Sequence, residues 1–278
     1  MLSINIYHTI LPLLAIIAWF LGALIYRASV NFPLILTQQW RDQCVEFLNL
    51  SPGDLPSLPD GPISPPSLLS KTEKNTRKTI TQVVTVICFV VVTYLFLLPA
   101  DAYLLPYTES IDNKLSLEGA LYLAPLLLLI SGLILLWLID FTHQLLPDEI
   151  VMPLFWLGIF LNYFSTYTLL QDAILGAIIG YSLLRGVYEV FLRITGKEGM
   201  GFGDFTLLAL VGAWFGWQAV LFTVLFSTVS GSIIGMIILY KNKLGKETTL
   251  PFGPHLINAC FLYLIAGKEI IHWYLGYL

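Results

Sequence analysis

The sequence predicts an all-α protein, a polytopic membrane helix bundle of about eight transmembrane helices with one polar cytoplasmic loop. Two observations carry that reading. Of the 278 residues, 57% are hydrophobic and 12% charged, against roughly 25% charged in a soluble globular chain, and the mean hydropathy is +0.79. Several apolar runs also reach the ~20 residues that a helix needs to cross a ~30 Å hydrocarbon core.

Setting apolar runs against charged and Pro/Gly-rich breaks places helices near 6–26, 80–98, 119–139, 150–167, 172–192, 204–216, 218–240 and 255–277. The first run lacks the basic n-region and small-residue cleavage site of a signal peptide and ends in Tyr26-Arg27, so it is expected to persist as a helix. Residues 27–79 differ in kind. They are polar, hold Pro52, Pro56, Pro59, Pro62, Pro65 and Pro66, and end in the charged run from Lys71 to Lys78. The expected organisation is therefore a first transmembrane helix over 1–26, a cytoplasmic loop region over 27–79 with one amphipathic piece around 40–50, and a transmembrane domain over 80–278. The sixth helix is short, because ~13 residues rise only ~20 Å.

Basic loops stay in the cytoplasm. With the amino terminus outside, the inward loops carry Arg27, Arg41, Lys71, Lys74, Arg77, Lys78, Arg193, Lys197, Lys241, Lys243 and Lys246, while the outward loops hold only Lys114. Net charge is −4, without a basic stripe, so no nucleic-acid partner is expected. Cys44, Cys88 and Cys260 are too few and too scattered for a disulfide framework or a structural zinc site.

Two segments place a carboxylate at the inward end of an apolar helix, where an ionisable side chain is costly and usually functional. One is Trp137-Leu-Ile-Asp140-Phe-Thr-His143-Gln-Leu-Leu-Pro-Asp148-Glu149. The other is Gly196-Lys197-Glu198-Gly-Met-Gly201-Phe-Gly203-Asp204. Its glycines allow a tight turn and close backbone approach, and Asp204 is expected to cap the helix that begins there. Two carboxylates close together cannot both ionise. The charged one can take a proton from water while the protonated one polarises a scissile carbonyl, which makes Asp140 and Asp204 the candidate catalytic pair. Asp148 and Glu149 suit the start of the fourth helix, and His143 a solvated loop. Trp214, Trp217, Trp273 and Tyr274 read as interfacial belt residues, and Gly176, Gly180, Gly231 and Gly235 as helix-packing contacts.

The block from Asp140 to Leu145-Leu-Pro-Asp148, the block Gly196 to Asp204, and Leu250-Pro251-Phe-Gly253-Pro-His255 resemble the type IV prepilin peptidases, in order and spacing. So does Tyr26–Cys44, with Phe32-Pro33 and Trp40-Arg41-Asp42-Gln43-Cys44. A bare GxGD is weak, but the extended blocks together are specific. The resemblance implies a GxGD-type aspartic endopeptidase of the bacterial inner membrane. Such an enzyme removes the basic leader of prepilins or type II secretion pseudopilins at the cytoplasmic face, cutting after a Gly. It places catalysis on Asp140 and Asp204 and a site-lining role on Pro251 and Gly253, while Lys197, Glu198, Gly201, Gly203 and Asp148 are expected to line the site from their places beside the two aspartates. It needs no cofactor for proteolysis, and uses S-adenosylmethionine if the new amino terminus is also methylated.

This chain departs from the family at the two CxxC pairs of the first loop, where it has only Cys44, so zinc is not expected. The amino-terminal Gly-Ser-Phe-Leu-Asn pattern is also eroded, to Leu24-Ile-Tyr-Arg-Ala-Ser-Val30. The rival from another class is a proton- or ion-coupled transporter built on the two carboxylates, which mid-bilayer aspartates and an inverted repeat would favour. A non-enzymatic secretion subunit would tolerate Asp204→Asn. Presenilin-like proteases share GxGD but end in Pro-Ala-Leu, where this chain has Pro251-Phe-Gly-Pro254.

Overall fold

A computed structural model describes residues 2–48, 71–97, 117–196, 199–242, 251–267 and 269–270. Among these there is no strand, and the all-α expectation is borne out. The helices are α1 (Leu2–Leu48), α2 (Lys71–Leu97), α3 (Leu117–His143), α4 (Asp148–Tyr163), α5 (Leu170–Thr195), α6 (Phe202–Phe215), α7 (Trp217–Asn242) and α8 (Gly253–Leu262), the last running into a π-helical turn, Tyr263–Gly267. Among the described residues five segments are long and apolar enough to cross a membrane: Leu11–Arg41, Glu73–Leu95, Tyr122–His143, Leu170–Thr195 and Trp217–Ile238. Phe202–Phe215 and Gly253–Gly267 are apolar but shorter.

The chain forms two units. The first comprises Met1–Val90 and Ile134–Leu145. Here α1 corrects the expected boundary at residue 26, since the helix continues through Arg27 to Leu48. Its buried stripe explains why: Ala18, Gly22, Ile25, Ser29, Pro33 and Leu36 recur every three or four residues, a helical face that the polar residues between them do not interrupt. Composition suggested a loop where periodicity keeps a helix. The rest of the expected loop re-forms as helix from Lys71, and residues 49–70 lie outside the described residues. Within this unit α1 and α2 meet closely at Gly22, where a Cβ would stand 2.7 Å from Gln82 Cα, and Gln82 Nε2 donates to Trp19 O at 3.1 Å.

The second unit comprises Val91–Leu133 and Leu146–Leu278, and its centre is α6. From Asp204 to Phe215 nearly every residue of this helix is buried, which an apolar sequence on all sides predicts of an enclosed helix. It need not reach both membrane faces because its neighbours shield it. Against α5 the approach is backbone to backbone: a Cβ on Gly180 would lie 2.7 Å from Leu208 O, and one on Gly176 2.8 Å from Gly212 O. Gly176 and Gly180 are thus packing contacts as expected, whereas a Cβ on Gly231 would meet only ordinary contacts at 3.7 Å.

The end of α4 is tied to the end of α6 by Asn162. Its Nδ2 donates to Ala213 O at 2.8 Å and Trp214 O at 3.0 Å, and its Oδ1 accepts from the backbone N–H of Tyr167 at 3.0 Å and Thr168 at 3.1 Å. Trp214 is not the interfacial belt residue expected. It is wholly buried and its Nε1–H donates to Leu154 O at 2.8 Å, so its ring fills the unit's core. Trp217 is partly exposed, and Trp273 and Tyr274 lie outside the described residues.

Candidate active site

Asp140 lies in the first unit, in the last turn of α3, and is buried at 5% exposure. Its carbonyl accepts from Gln144 N–H at 2.9 Å, and Gln144 takes φ 52°, so the chain leaves the helix through a left-handed residue. His143 is the closing residue of α3 rather than part of a loop. The turn from Gln144 to Pro147 delivers the chain directly to α4, which begins at Asp148. Asp148 and Glu149 occupy the first turn of α4 as expected, where negative charge complements the helix dipole.

Asp204 lies in the second unit, in the first turn of α6, and is buried at 6% exposure. It is not the N-cap residue expected. Gly201 is the N-cap, extended at φ −75° and ψ 148°, and as a glycine it has no side chain to cap with. Phe202 and Gly203 are already helical because the Phe202 ring packs 5.6 Å from Phe205 and 5.3 Å from Tyr188. The carboxylate of Asp204 therefore sits three residues into the helix, still where the dipole favours negative charge.

Two contacts join the LLPD turn to this helix start. A Cβ on Gly203 would stand 2.6 Å from Leu146 Cβ and 3.2 Å from Leu146 O. Thr206 Oγ1 donates to Asp148 Oδ1 at 3.3 Å. Gly203 and Asp148 are thus brought beside Asp204's turn, whereas a Cβ on Gly201 would find only Asp204 Oδ2, at 3.8 Å. Gly203→Ala is therefore expected to slow processing about tenfold or more, because a misplacement of about 1 Å in a catalytic group costs up to ~10²-fold. Gly201→Ala should stay near wild type, and equal rates for the two variants would show that this contact does not set the site.

Pro251 and Gly253 lie elsewhere in the second unit, at the start of α8. Pro251 lines a cavity of about 260 Å³ with Phe252, His255, Thr228, Gly231 and Ser232. Ser230 Oγ stands 3.4 Å from His255 Nδ1 beside it. Lys197 and Glu198 lie outside the described residues. Sequence reasoning missed Leu146 and Thr206, whose parts depend on which turn meets α6. It also missed the hydroxyl cluster of α7 facing His255, which shows in the sequence only as Ser and Thr within an apolar helix.

Residues 127–236 match the type IV leader peptidase family model, a stretch that contains Asp140, Asp148 and the whole glycine block but neither Pro251 nor Gly253. The chain is 47% identical over 152 residues to a prepilin leader peptidase/N-methyltransferase of Stutzerimonas stutzeri, covering 55% of this chain and 53% of that protein. It is likewise 47% identical over 152 residues to the enzyme so named from Pseudomonas aeruginosa, covering 55% and 52%. With that of Aeromonas salmonicida it shares 39% over 177 residues, covering 62% and 61%. The chain thus spans about half the length of the first two relatives. No solved structure matches it. The resemblance expected from the sequence blocks is therefore to the type IV leader peptidase family, and residues 127–236, with both aspartates inside them, carry it.

Proposed function

We propose that this protein is a membrane aspartic endopeptidase that removes the basic leader from prepilins or type II secretion pseudopilins at the cytoplasmic face of a bacterial inner membrane. The observation that carries the reading is that the family match encloses two buried carboxylates, Asp140 at the end of α3 and Asp204 at the start of α6. Acting as a pair, one carboxylate takes a proton from water as the resulting hydroxide adds to the scissile carbonyl carbon. The other donates a hydrogen bond to the carbonyl oxygen. Collapse of the tetrahedral intermediate breaks the C–N bond, and the amide nitrogen leaves with a proton from the dyad.

The relatives' name also includes N-methyltransferase, and methylation of the new amino terminus from S-adenosylmethionine is part of the proposal. The cavity beside His255, at about 260 Å³, falls below the roughly 300–1,000 Å³ of cofactor pockets. A cavity of that size does not hold the whole cofactor. Among the described residues no cluster of three or more His, Cys, Asp or Glu could hold a metal.

Most substrate binding should come from the apolar segment after the leader, packing among the helices, because exposed ion pairs contribute only ~0–1 kcal/mol each. Raising salt from low to high ionic strength in liposomes should therefore slow cleavage only slightly. A steep fall would show leader charge dominating, and labelling of Asp140→Cys or Asp204→Cys only from the outer face would overturn the cytoplasmic assignment.

A further inference from the structure

The N-cap of α6 is Gly201, which has no side chain of its own with which to cap the helix. The first turn of α6 also contains Gly203, which loosens the backbone. What holds this turn from the α5 side is an aromatic cluster with a guanidinium on it. Arg185 Cζ stands 5.4 Å from the Phe202 ring centroid and 5.8 Å from that of Tyr188. Its Nη2 pairs with Glu189 Oε1 at 2.7 Å. Tyr188, only 5% exposed, packs 5.6 Å from Phe205, which is wholly buried. Asp204 lies between Phe202 and Phe205 in the chain.

The helix register puts Arg185 at the level of that carboxylate. Gly176 faces Gly212 and Gly180 faces Leu208, so one further turn sets Leu184, 3% exposed, opposite Asp204. Arg185 is the next residue. It lies ten positions before the end of the Leu170–Thr195 span, about 15 Å along the helix axis.

We propose that Arg185, aligned by Glu189, is a positioning residue for Asp204: its guanidinium braces the Phe202 ring against Tyr188 and so fixes the first turn of α6. This rests on the reading of Asp204 as catalytic. Cation–π contacts of ~0.5–2 kcal/mol correspond to about 2- to 30-fold in rate.

The test is steady-state cleavage of a prepilin by the purified full chain, with thermal midpoints measured in parallel. Arg185→Met is expected to lower kcat about 2- to 30-fold with KM changed less than about twofold and the midpoint lowered by no more than a few degrees. Arg185→Lys should recover part of the loss, since it keeps a cation at the ring. Glu189→Gln, which frees the guanidinium from its partner, should show an intermediate loss. The charge swap Arg185→Glu with Glu189→Arg restores an ion pair but not the cation over Phe202, so it should remain impaired. Full rescue by the swap, an unchanged kcat, or a rise in KM alone would overturn the proposal. If Arg185→Met does not fold, Phe202→Leu carries the same test, and wild-type kcat there is equally fatal. Failure of the wild type to cleave would remove the peptidase reading itself, whereas wild-type cleavage undiminished in these variants removes only this inference.

Discussion

Asp140→Asn and Asp204→Asn are each expected to abolish processing, with rates lower by at least ~10²–10⁴-fold, the usual contribution of one acid or base. An amide can neither take the proton from water nor hold the proton offered to the carbonyl oxygen, and the two positions have different parts, so neither variant is expected to be milder. Both carboxylates are buried, and replacing one by an amide of nearly equal size keeps the packing. The variants should insert and resist extraction as the wild type does. Near wild-type processing by either one, measured as the fraction of prepilin converted over time, would break the assignment of the pair.

Asn162→Ala should have the largest effect on stability. It removes four hydrogen bonds at once and leaves the carbonyls of Ala213 and Trp214 and the N–H groups of Tyr167 and Thr168 to find other partners in a buried place. An unsatisfied buried polar group costs about 1–3 kcal/mol, so a loss of ~4 kcal/mol or more is expected. The loosened elements are the loop after α4 and the last turn of α6, where Tyr167 also donates its hydroxyl to Tyr122 O. Thermal unfolding in detergent checks this. A midpoint within a degree or two of wild type would show that water or a shifted backbone replaces the amide. Because Asn162 is at the opposite end of α6 from Asp204, whatever protein remains folded should keep a near-normal KM.

The long apolar spans were legible because hydropathy over ~20 residues decides them: α3, α5 and α7 fall close to where the sequence put them, and α2 ends where expected but starts nine residues earlier, at Lys71 rather than 80. The short sixth helix was legible as an anomaly, and its burial on all sides supplies the reason. The continuation of α1 past residue 26 was not read, although its stripe of Gly22, Ile25, Ser29, Pro33 and Leu36 is there in the sequence, because the polar composition of 27–79 and its prolines from Pro52 to Pro66 outweighed periodicity. The start of α6 was misplaced by two residues for a related reason. Glycines read as loop, while the Phe202 ring, whose partners come from α5, draws them into the helix. Trp214 illustrates the same limit: an indole in an apolar helix suits a membrane interface as well as a core, and only the carbonyl of Leu154 decides between them. The aspartates themselves stood out because carboxylates are rare at the ends of apolar helices, whereas Thr206 and Arg185 acquire meaning only from helix register.

The most direct measurement is the mass of the mature amino terminus after the purified wild-type protein, in liposomes with S-adenosylmethionine, has acted on a full-length prepilin. The account predicts a product shortened by the whole leader, cut after the Gly that ends it and heavier by one methyl group. Neither change should occur with the Asp204→Asn protein, because the amino terminus to be methylated is never released. Intact prepilin with the wild type, or an identical cut with Asp204→Asn, would contradict it.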